Sequence, residues 1–442
     1  MKIQLSEHFT YKKLLRFVFP SIVMMIFTSI YGVVDGLFVS NYVGKTSFAA
    51  VNLIMPLLMI LSALGFMMGT GGSAIVSKTM GEGKKEKANE YFSMMVCVTI
   101  CGGLVLSTLG FVFIRPIAEA LGASGEMLEQ CVLYGRISML SLTAFMLQNV
   151  FQSFFVAAEK PHMGLGVTVV AGCTNMFLDF LFVGVLKWGV AGAAGATAVS
   201  EIIAGIFPLI YFCRKNSSLL RLKWAKPEWR IILKACTNGS SELMTSVSTS
   251  VVNMLYNFQL MRFAGENGIA AYGVIMYVNL VFIATYLGYS IGSAPIVGFH
   301  YGAGGHSELK NLFQKSLKLI AVWGLALVCL AFVLSSPLAK IFVGYDAELF
   351  SITVHGFRLY AVSFLICGVN IYGSAFFTAL NNGVISAAIS FLRTLVFQLA
   401  TVLILPEFIG IDGIWLAIVV AELLAMAVTI LFFVRKRKVY HY

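Results

Sequence analysis

Two aspartates lie inside long apolar stretches, where an ionised carboxylate is costly. Asp35 interrupts the run SIYGVVDGLFVSNYVG (29–44), and Asp179 follows Asn175 by four residues in a second apolar stretch. A charged side chain at the centre of a membrane-spanning helix costs ~2.5–3.5 kcal/mol on insertion scales. Such side chains usually face a protein interior or a watery cavity. We therefore interpret Asp35 as the centre of a site that binds an ion or a proton.

Other polar residues recur at helical spacing and at matching depths. Asn175 and Asp179 are one turn apart, as are Thr197 and Glu201 in the next apolar stretch, so each pair shares a helix face. Asp35, Asp179 and Thr197 lie roughly 10 Å below the outer surface, and Asn175 and Glu201 roughly 16 Å, at 1.5 Å per residue. These depths predict one site that includes Asp35, Asn175, Asp179 and Thr197. It would suit a proton shared between carboxyls, or Na⁺ held by oxygen atoms. The alternative is that each polar side chain only caps backbone or joins two helices.

The composition requires a membrane to surround most of these stretches. Of 442 residues, 59% are hydrophobic and 12% charged, whereas soluble domains carry roughly 25% charged residues. The polar start Met1–Lys13 and the long apolar run after it do not resemble a cleavable signal peptide. Eight cysteines without CxxC spacing suggest packing, and neither a disulfide framework nor a metal site. The six histidines are scattered, which argues against an enzyme.

The basic residues report topology rather than nucleic-acid binding. The net charge is +11. If both termini lie on one side of the membrane, that side carries 23 of the 31 Lys and Arg residues. The other side then carries five, and three lie within the spans. The positive-inside rule then predicts cytoplasmic termini in the cell membrane. The apolar stretches predict twelve spans: 14–40, 47–77, 91–113, 133–158, 162–186, 190–213, 231–260, 268–299, 312–335, 355–380, 384–406 and 412–434.

The two halves of the chain repeat each other. A shift of 221 residues places Gly44 on Gly265, Gly81 on Gly302, and Glu201 on Glu422, among other matches. Because each half has an even number of spans, both halves keep the same orientation. We therefore predict an all-α membrane fold with two six-helix bundles related by pseudo-two-fold symmetry. The predicted units are an N-lobe (1–213), a cytoplasmic connector (214–230) and a C-lobe (231–442).

The acid cluster is not repeated in the second half. The positions that match Asp35, Asn175, Asp179 and Thr197 are Tyr256, Phe397, Thr401 and Ile418. Glu201, Glu242, Glu422 and Arg393 are secondary site candidates, and Glu422 is a candidate partner for Arg393. Glu242 is expected to line a cavity or to pair with a basic residue. A cavity for planar organic cations is predicted to use aromatic and thioether side chains, from the set Met24, Tyr31, Phe154, Tyr256, Tyr277 and Tyr372.

These motifs resemble the multidrug and toxic compound extrusion (MATE) family along nearly the whole chain. The resemblance rests on YGVVDGLFVSNYVG, on GGSAIVSKTMGEGKKEKA after the second span, and on Asn175-x-x-x-Asp179 followed by GVAGAAGATAVSE (189–201). It implies a two-lobed antiporter that exports organic, often cationic, compounds in exchange for H⁺ or Na⁺, by alternating access. It also assigns the N-lobe ion site to Asp35, Asn175 and Asp179, with a hydroxyl that Thr197 supplies here. The tenth span (355–380) lacks the acid that some sodium-coupled relatives place there.

The expected protein is thus a monomeric transporter in the lipid bilayer that needs no cofactor beyond its coupling ion. Its partner would be a small organic molecule, and not a nucleic acid. The main alternative is a flippase for lipid-linked oligosaccharides, which would need several cationic residues deep between the lobes. The candidate cationic residues for this role are Arg393, Arg136 and Arg358. The residues leave open whether H⁺ or Na⁺ is the coupling ion.

Overall fold

The computed structural model describes residues 3–442, apart from the side chain of Lys45. All regular structure in this part of the chain is helical. The α-helices are α1 (Tyr11–Tyr42), α2 (Lys45–Gly81), α3 (Lys85–Ala120), α4 (Gly125–Ala157), α5 (Pro161–Asp179), α6 (Gly189–Cys213), α7 (Trp229–Gly302), α8 (His306–Val343), α9 (Ala347–Ala361), α10 (Ser363–Ala379), α11 (Gly383–Phe391), α12 (Phe397–Ile409) and α13 (Ile411–Tyr440). Two π-helical turns follow α5 and α11, at Phe180–Val185 and Leu392–Val396.

The described helices are long and apolar enough for twelve membrane crossings. Ten helical stretches are long and apolar enough to cross a membrane, and one of them is the 74-residue α7. Gly265 breaks α7 into two arms, because its φ of 60° and ψ of −150° are open essentially only to glycine. Helices α9 and α10 form one further crossing, with a bend of 44° between them. This architecture confirms the predicted all-α fold of two six-helix bundles.

The internal repeat is visible in the backbone. Gly44 and Gly265 both have positive φ, at the junctions of α1 with α2 and of the two arms of α7. Gly83 and Gly304 likewise both have positive φ, after α2 and after the second arm of α7. Each pair is separated by the 221-residue shift found in the sequence. The same turn geometry is therefore used at matching places in the two lobes.

The connector between the lobes runs along α3. Helix α6 ends at Cys213 and α7 begins at Trp229, so the connector ends two residues earlier than predicted (214–230). Between them the backbone N–H of Arg221 donates to Asn89 Oδ1 at 2.8 Å, and that of Lys223 donates to Ser93 Oγ at 2.8 Å. These bonds tie an extended segment to the first bundle.

The lobes meet mainly through α1 and α2 of the N-lobe and α7 of the C-lobe. Gly71 lies against the backbone of Ala235 and Gly239, so a β-carbon there would overlap the facing chain. The Ser29 hydroxyl donates to the Leu280 carbonyl at 3.4 Å, about midway along both helices. Small residues allow such close approach between membrane helices. The interface therefore occupies the half of the molecule that carries both chain termini, which we call the terminal side.

A short N-terminal segment crosses this interface on the terminal side. The N–H of Leu5 donates to Glu159 Oε1 of the N-lobe at 2.7 Å, and the N–H of Phe9 donates to Glu308 Oε1 of the C-lobe at 2.9 Å. Both apolar side chains are fully buried. At its surface, a hydrogen bond from Lys13 holds the pKa of Glu7 below its usual value. The segment thus joins the two lobes.

Candidate functional site

Asp35 of α1 and Asp179 of α5 form the centre of the N-lobe site. Their carboxyl groups are direct neighbours in the structure. Asp179 is fully buried, and Asp35 Oδ1 is enclosed although the residue is only partly buried. Two ionised carboxylates cannot donate hydrogen bonds to each other. A proton or a cation between the two groups would relieve their mutual repulsion.

Asn175 and Thr197 extend this site to α6. Asn175 Nδ2 donates to Thr197 Oγ1 at 3.4 Å, and Asn175 is 1% exposed. Its Oδ1, Asp35 Oδ1 and both carboxylate oxygens of Asp179 are buried, and no donor reaches them among the described residues. Buried acceptors without donors are costly, so they favour a bound cation or added protons. The structure thus brings together the four residues predicted for cation coupling.

The local backbone explains how these side chains meet. Gly172 lies one turn before Asn175, and a β-carbon there would collide with the rings of Phe27 and Tyr31 of α1. Because glycine lacks a β-carbon, α5 can approach α1 closely. The π-helical turn Phe180–Val185 begins directly after Asp179. Such turns are frequent at functional sites because they widen the helix locally.

Two more N-lobe groups border the site. Ser141 of α4 lies near the secondary candidate Glu201, and its hydroxyl donates to the Ser138 carbonyl at 3.1 Å. Gln148 Nε2 donates to the Tyr31 hydroxyl at 3.5 Å. Ser141 and Gln148 were not predicted, because the sequence does not show which face of α4 meets α1 and α6.

The depths counted along the sequence were about one turn in error between α5 and α6. They placed Thr197 level with Asp179, whereas in the structure Thr197 contacts Asn175. The count assumed a regular α-helix, and the π-helical turn after Asp179 changes both the rise and the rotation per residue. The site membership was nevertheless unaffected by this error.

The atoms of this site that could ligate an ion are oxygens. Carboxylate, amide and hydroxyl oxygens suit H⁺ or a hard cation such as Na⁺ rather than a soft transition metal. In the part of the chain that the structure describes, no cluster of three or more His, Cys, Asp or Glu side chains could hold a metal ion.

A central cavity of about 240 Å³ lies between the lobes. Its N-lobe wall includes Met25 and Thr70, and its C-lobe wall includes Glu242 of α7 and Arg393 of the second π-helical turn. No ion pair of Glu242 is found among the described residues. The structure therefore places Glu242 in the cavity rather than against a basic residue.

Comparison with known proteins identifies this arrangement. The model of the MatE family matches the chain twice, at residues 20–181 and 243–404. The chain belongs to the MatE family. The two matches reproduce the internal repeat, and membership confirms the predicted resemblance. A MatE chain is a membrane transporter rather than an enzyme.

Curated relatives and solved structures of MatE proteins agree with this assignment. The multidrug export protein MepA of Staphylococcus haemolyticus is 24% identical over 98% of this chain and 95% of its own. MepA of Staphylococcus aureus is 22% identical over 97% and 94%. A crystal structure of MATE in complex with MaL6 superposes with a TM-score of 0.93 at 23% identity, covering 98% of both chains. An outward-facing MATE transporter of the MOP superfamily superposes at 0.91 and 24% identity, covering 99% and 98%. These relatives do not favour the flippase alternative.

The C-lobe of this MatE chain contains a buried ion pair in place of an acid cluster. Arg393 Nε donates to Glu422 Oε1 at 2.7 Å and to Oε2 at 3.0 Å. Glu422 is 1% exposed. The secondary candidates Arg393 and Glu422 are thus each other's partners. Arg136 and Arg358 lie elsewhere, over the Phe111 ring and against Ser335 Oγ.

The predicted aromatic lining differs from the observed one. Tyr277 lines a second cavity, which lies within the C-lobe and measures about 630 Å³. Phe154 and Tyr372 are instead packed within aromatic groups, and Tyr256 stacks on Tyr272 with ring centroids 5.0 Å apart. The remaining two, Met24 and Tyr31, pack in the N-lobe near Gly164 and Gly172. Serine and threonine side chains are prominent in the central cavity instead: Thr70, Ser73, Ser153, Thr245, Ser246, Ser290, Ser374, Thr378 and Ser390.

Proposed function

We propose that this MatE transporter exports organic, often cationic, compounds in exchange for H⁺ or Na⁺. The supporting observation is the N-lobe site, where Asp35, Asn175 and Asp179 present four buried oxygens to which no described residue donates. A site of this kind binds a cation in one conformation and releases it in another. The relatives named multidrug export proteins support the export of small molecules.

The central cavity is the proposed place for the substrate. Glu242 gives it a carboxylate without an ion-pair partner, which would attract the charge of an organic cation. Several hydroxyl groups of the cavity donate to nearby carbonyls, as Thr70 does to Phe66 at 3.0 Å, and their oxygens can still accept hydrogen bonds from varied solutes. Broad chemical tolerance follows from such adaptable walls.

The conformation in the structure suggests how access alternates. Contacts between the lobes lie on the terminal side, where Gly81 packs on Phe299 and Gly302 packs on Lys78. The excess of Lys and Arg on that side supports cytoplasmic termini in the cell membrane. The state described here is then closed to the cytoplasm. Rocking one lobe against the other would expose the central cavity to the opposite side.

Ion binding would drive substrate release through α1. An ion that enters from outside would bridge Asp35 and Asp179 and draw α1 toward α5. Because α1 also carries Met25, which lines the central cavity, such a movement would change the wall against which the substrate lies. Coupling requires that ion and substrate each prefer different conformations. One chain contains both sites, so a monomer would suffice.

The proposal is tested by dye efflux from proteoliposomes that contain the purified chain. We expect a cationic dye to move against its gradient when a ΔpH or a Na⁺ gradient is imposed, and the effective gradient to identify the ion. Asp35→Asn should abolish gradient-driven movement while the protein remains folded. A fully active Asp35→Asn variant, or transport that ignores both gradients, would refute the mechanism.

A further inference from the structure

Arg393 lies at the junction of two cavities. It is part of the π-helical turn Leu392–Val396 and contributes to the walls of both the central cavity and the C-lobe cavity. Its side chain is 15% exposed. The π-helical turn directs a permanently charged group to the place where the two cavities adjoin.

The guanidinium is held from one edge only. Its Nε donates to both oxygens of Glu422, and no hydrogen bond from its two terminal Nη groups is found among the described residues. Asn370 Nδ2 in turn donates to Glu422 Oε2 at 2.7 Å, and Thr429 Oγ1 donates to Asn370 Oδ1 at 3.0 Å. This chain of bonds fixes the acid and therefore the arginine. The terminal N–H donors remain available on the cavity side.

These donors have a defined chemical preference. A planar guanidinium matches the two oxygens of a carboxylate or phosphate, and such charge-assisted pairs are about twice as strong as neutral hydrogen bonds. On the same C-lobe wall of the central cavity, Glu242 supplies the opposite charge. The cavity therefore offers one group for a cation and another for an anion.

We propose that Arg393 binds the anionic group of an amphoteric substrate, an organic cation that also carries a carboxylate. Glu422 and Asn370 act as positioning residues that orient the guanidinium. This inference rests on the proposed export of organic compounds and narrows their class. In this proposal the C-lobe contributes a substrate-binding residue, whereas the N-lobe contributes the acid cluster.

Direct binding tests this assignment without requiring transport. The probes are a rhodamine with a free carboxylic acid and the methyl ester of the same rhodamine, titrated against the purified full chain by fluorescence polarisation. The variant is Arg393→Gln combined with Glu422→Gln, because removing the arginine alone would leave a buried carboxylate unpaired. We expect the affinity for the acid, relative to the ester, to fall about tenfold in this variant.

Two controls separate anion recognition from general damage. Arg358→Gln makes the same exchange outside both cavities and should leave the acid-to-ester ratio at its wild-type value. Arg393→Lys keeps the charge without the planar fork and should retain part of the preference. An unchanged ratio in the double variant, with the ester still bound, would overturn the anion site alone. A wild-type chain that binds neither dye would count against the proposed function as well.

Discussion

Gly302 packs against the backbone carbonyl of Lys78 so closely that a β-carbon at Gly302 would overlap it. The contact between Gly81 and the carbonyl of Phe299 is its counterpart, since both members are shifted by 221 residues. The ends of α2 and of the second arm of α7 therefore contact each other twice, once in each direction. The duplication that built the two lobes also built the contact that closes them on the terminal side.

Adding a methyl group to either glycine should weaken this closure. Gly81→Ala and Gly302→Ala should each lower the free energy of unfolding by about 1–3 kcal/mol, because the facing backbone must move. Gly102→Ala in α3 is the matched control, since a β-carbon there meets no atom within 4 Å. Alanine is the better helix former, so the control should be neutral or stabilising. Thermal unfolding in detergent measures all three, and equal behaviour of the three variants would contradict the close contact.

The sequence predicted the number of spans and the symmetry because both depend on local patterns. Apolar length locates a crossing, and the break of α7 coincides with Gly265, which the repeat had already paired with Gly44. The bend between α9 and α10 was not predicted. It follows Ala361, where neither glycine nor proline marks a change of direction. Such a bend results from packing between helices, which one sequence does not display.

The candidate site was likewise only partly predictable from the sequence. Buried acids are so costly in a membrane that Asp35 and Asp179 could be selected by type alone, and helical spacing added Asn175. The cavity lining could not be selected in this way. Phe154 and Tyr372 have the chemistry of a drug pocket, yet both are packed in aromatic groups. Their direction depends on helix rotation, which the uniformly apolar sequence leaves undetermined.

If Asp35 and Asp179 hold one ion together, their substitutions should not be additive. Asp35→Asn and Asp179→Asn should each reduce gradient-driven dye movement at least tenfold. The double variant should transport dye no more slowly than the less active of the two single variants. A coupling energy of about 0.5–3 kcal/mol is expected for groups in direct contact. Glu126→Gln, an acid-to-amide exchange at an exposed position of α4, serves as the control. Additive losses would show that the two carboxyls act at separate sites.

Phe9 should be important for the stability of the terminal side. Its ring is fully buried, with centroids 6.0 Å from Phe17 and 6.4 Å from His300, and it lies in the segment that joins the lobes. Phe9→Ala should lower the free energy of unfolding by roughly 3–5 kcal/mol, the usual cost of a buried Phe-to-Ala exchange. Tyr11→Ala removes a ring that is 41% exposed and should cost far less. Thermal unfolding of both variants in the same detergent compares them, and a similar loss for each would show that the segment is not anchored by Phe9.

The Arg393–Glu422 pair predicts an unusual order of stabilities. Glu422→Gln removes one charge and leaves the buried guanidinium without its counter-ion, which should cost roughly 3–5 kcal/mol. The double variant Arg393→Gln and Glu422→Gln removes both charges, so it should be more stable than Glu422→Gln although it carries one more substitution. Asn370 can still bond to an amide oxygen at position 422, which favours this recovery. Thermal unfolding of the two variants gives the order directly. A double variant less stable than the single one would mean that Arg393 stabilises the C-lobe through contacts other than this carboxylate.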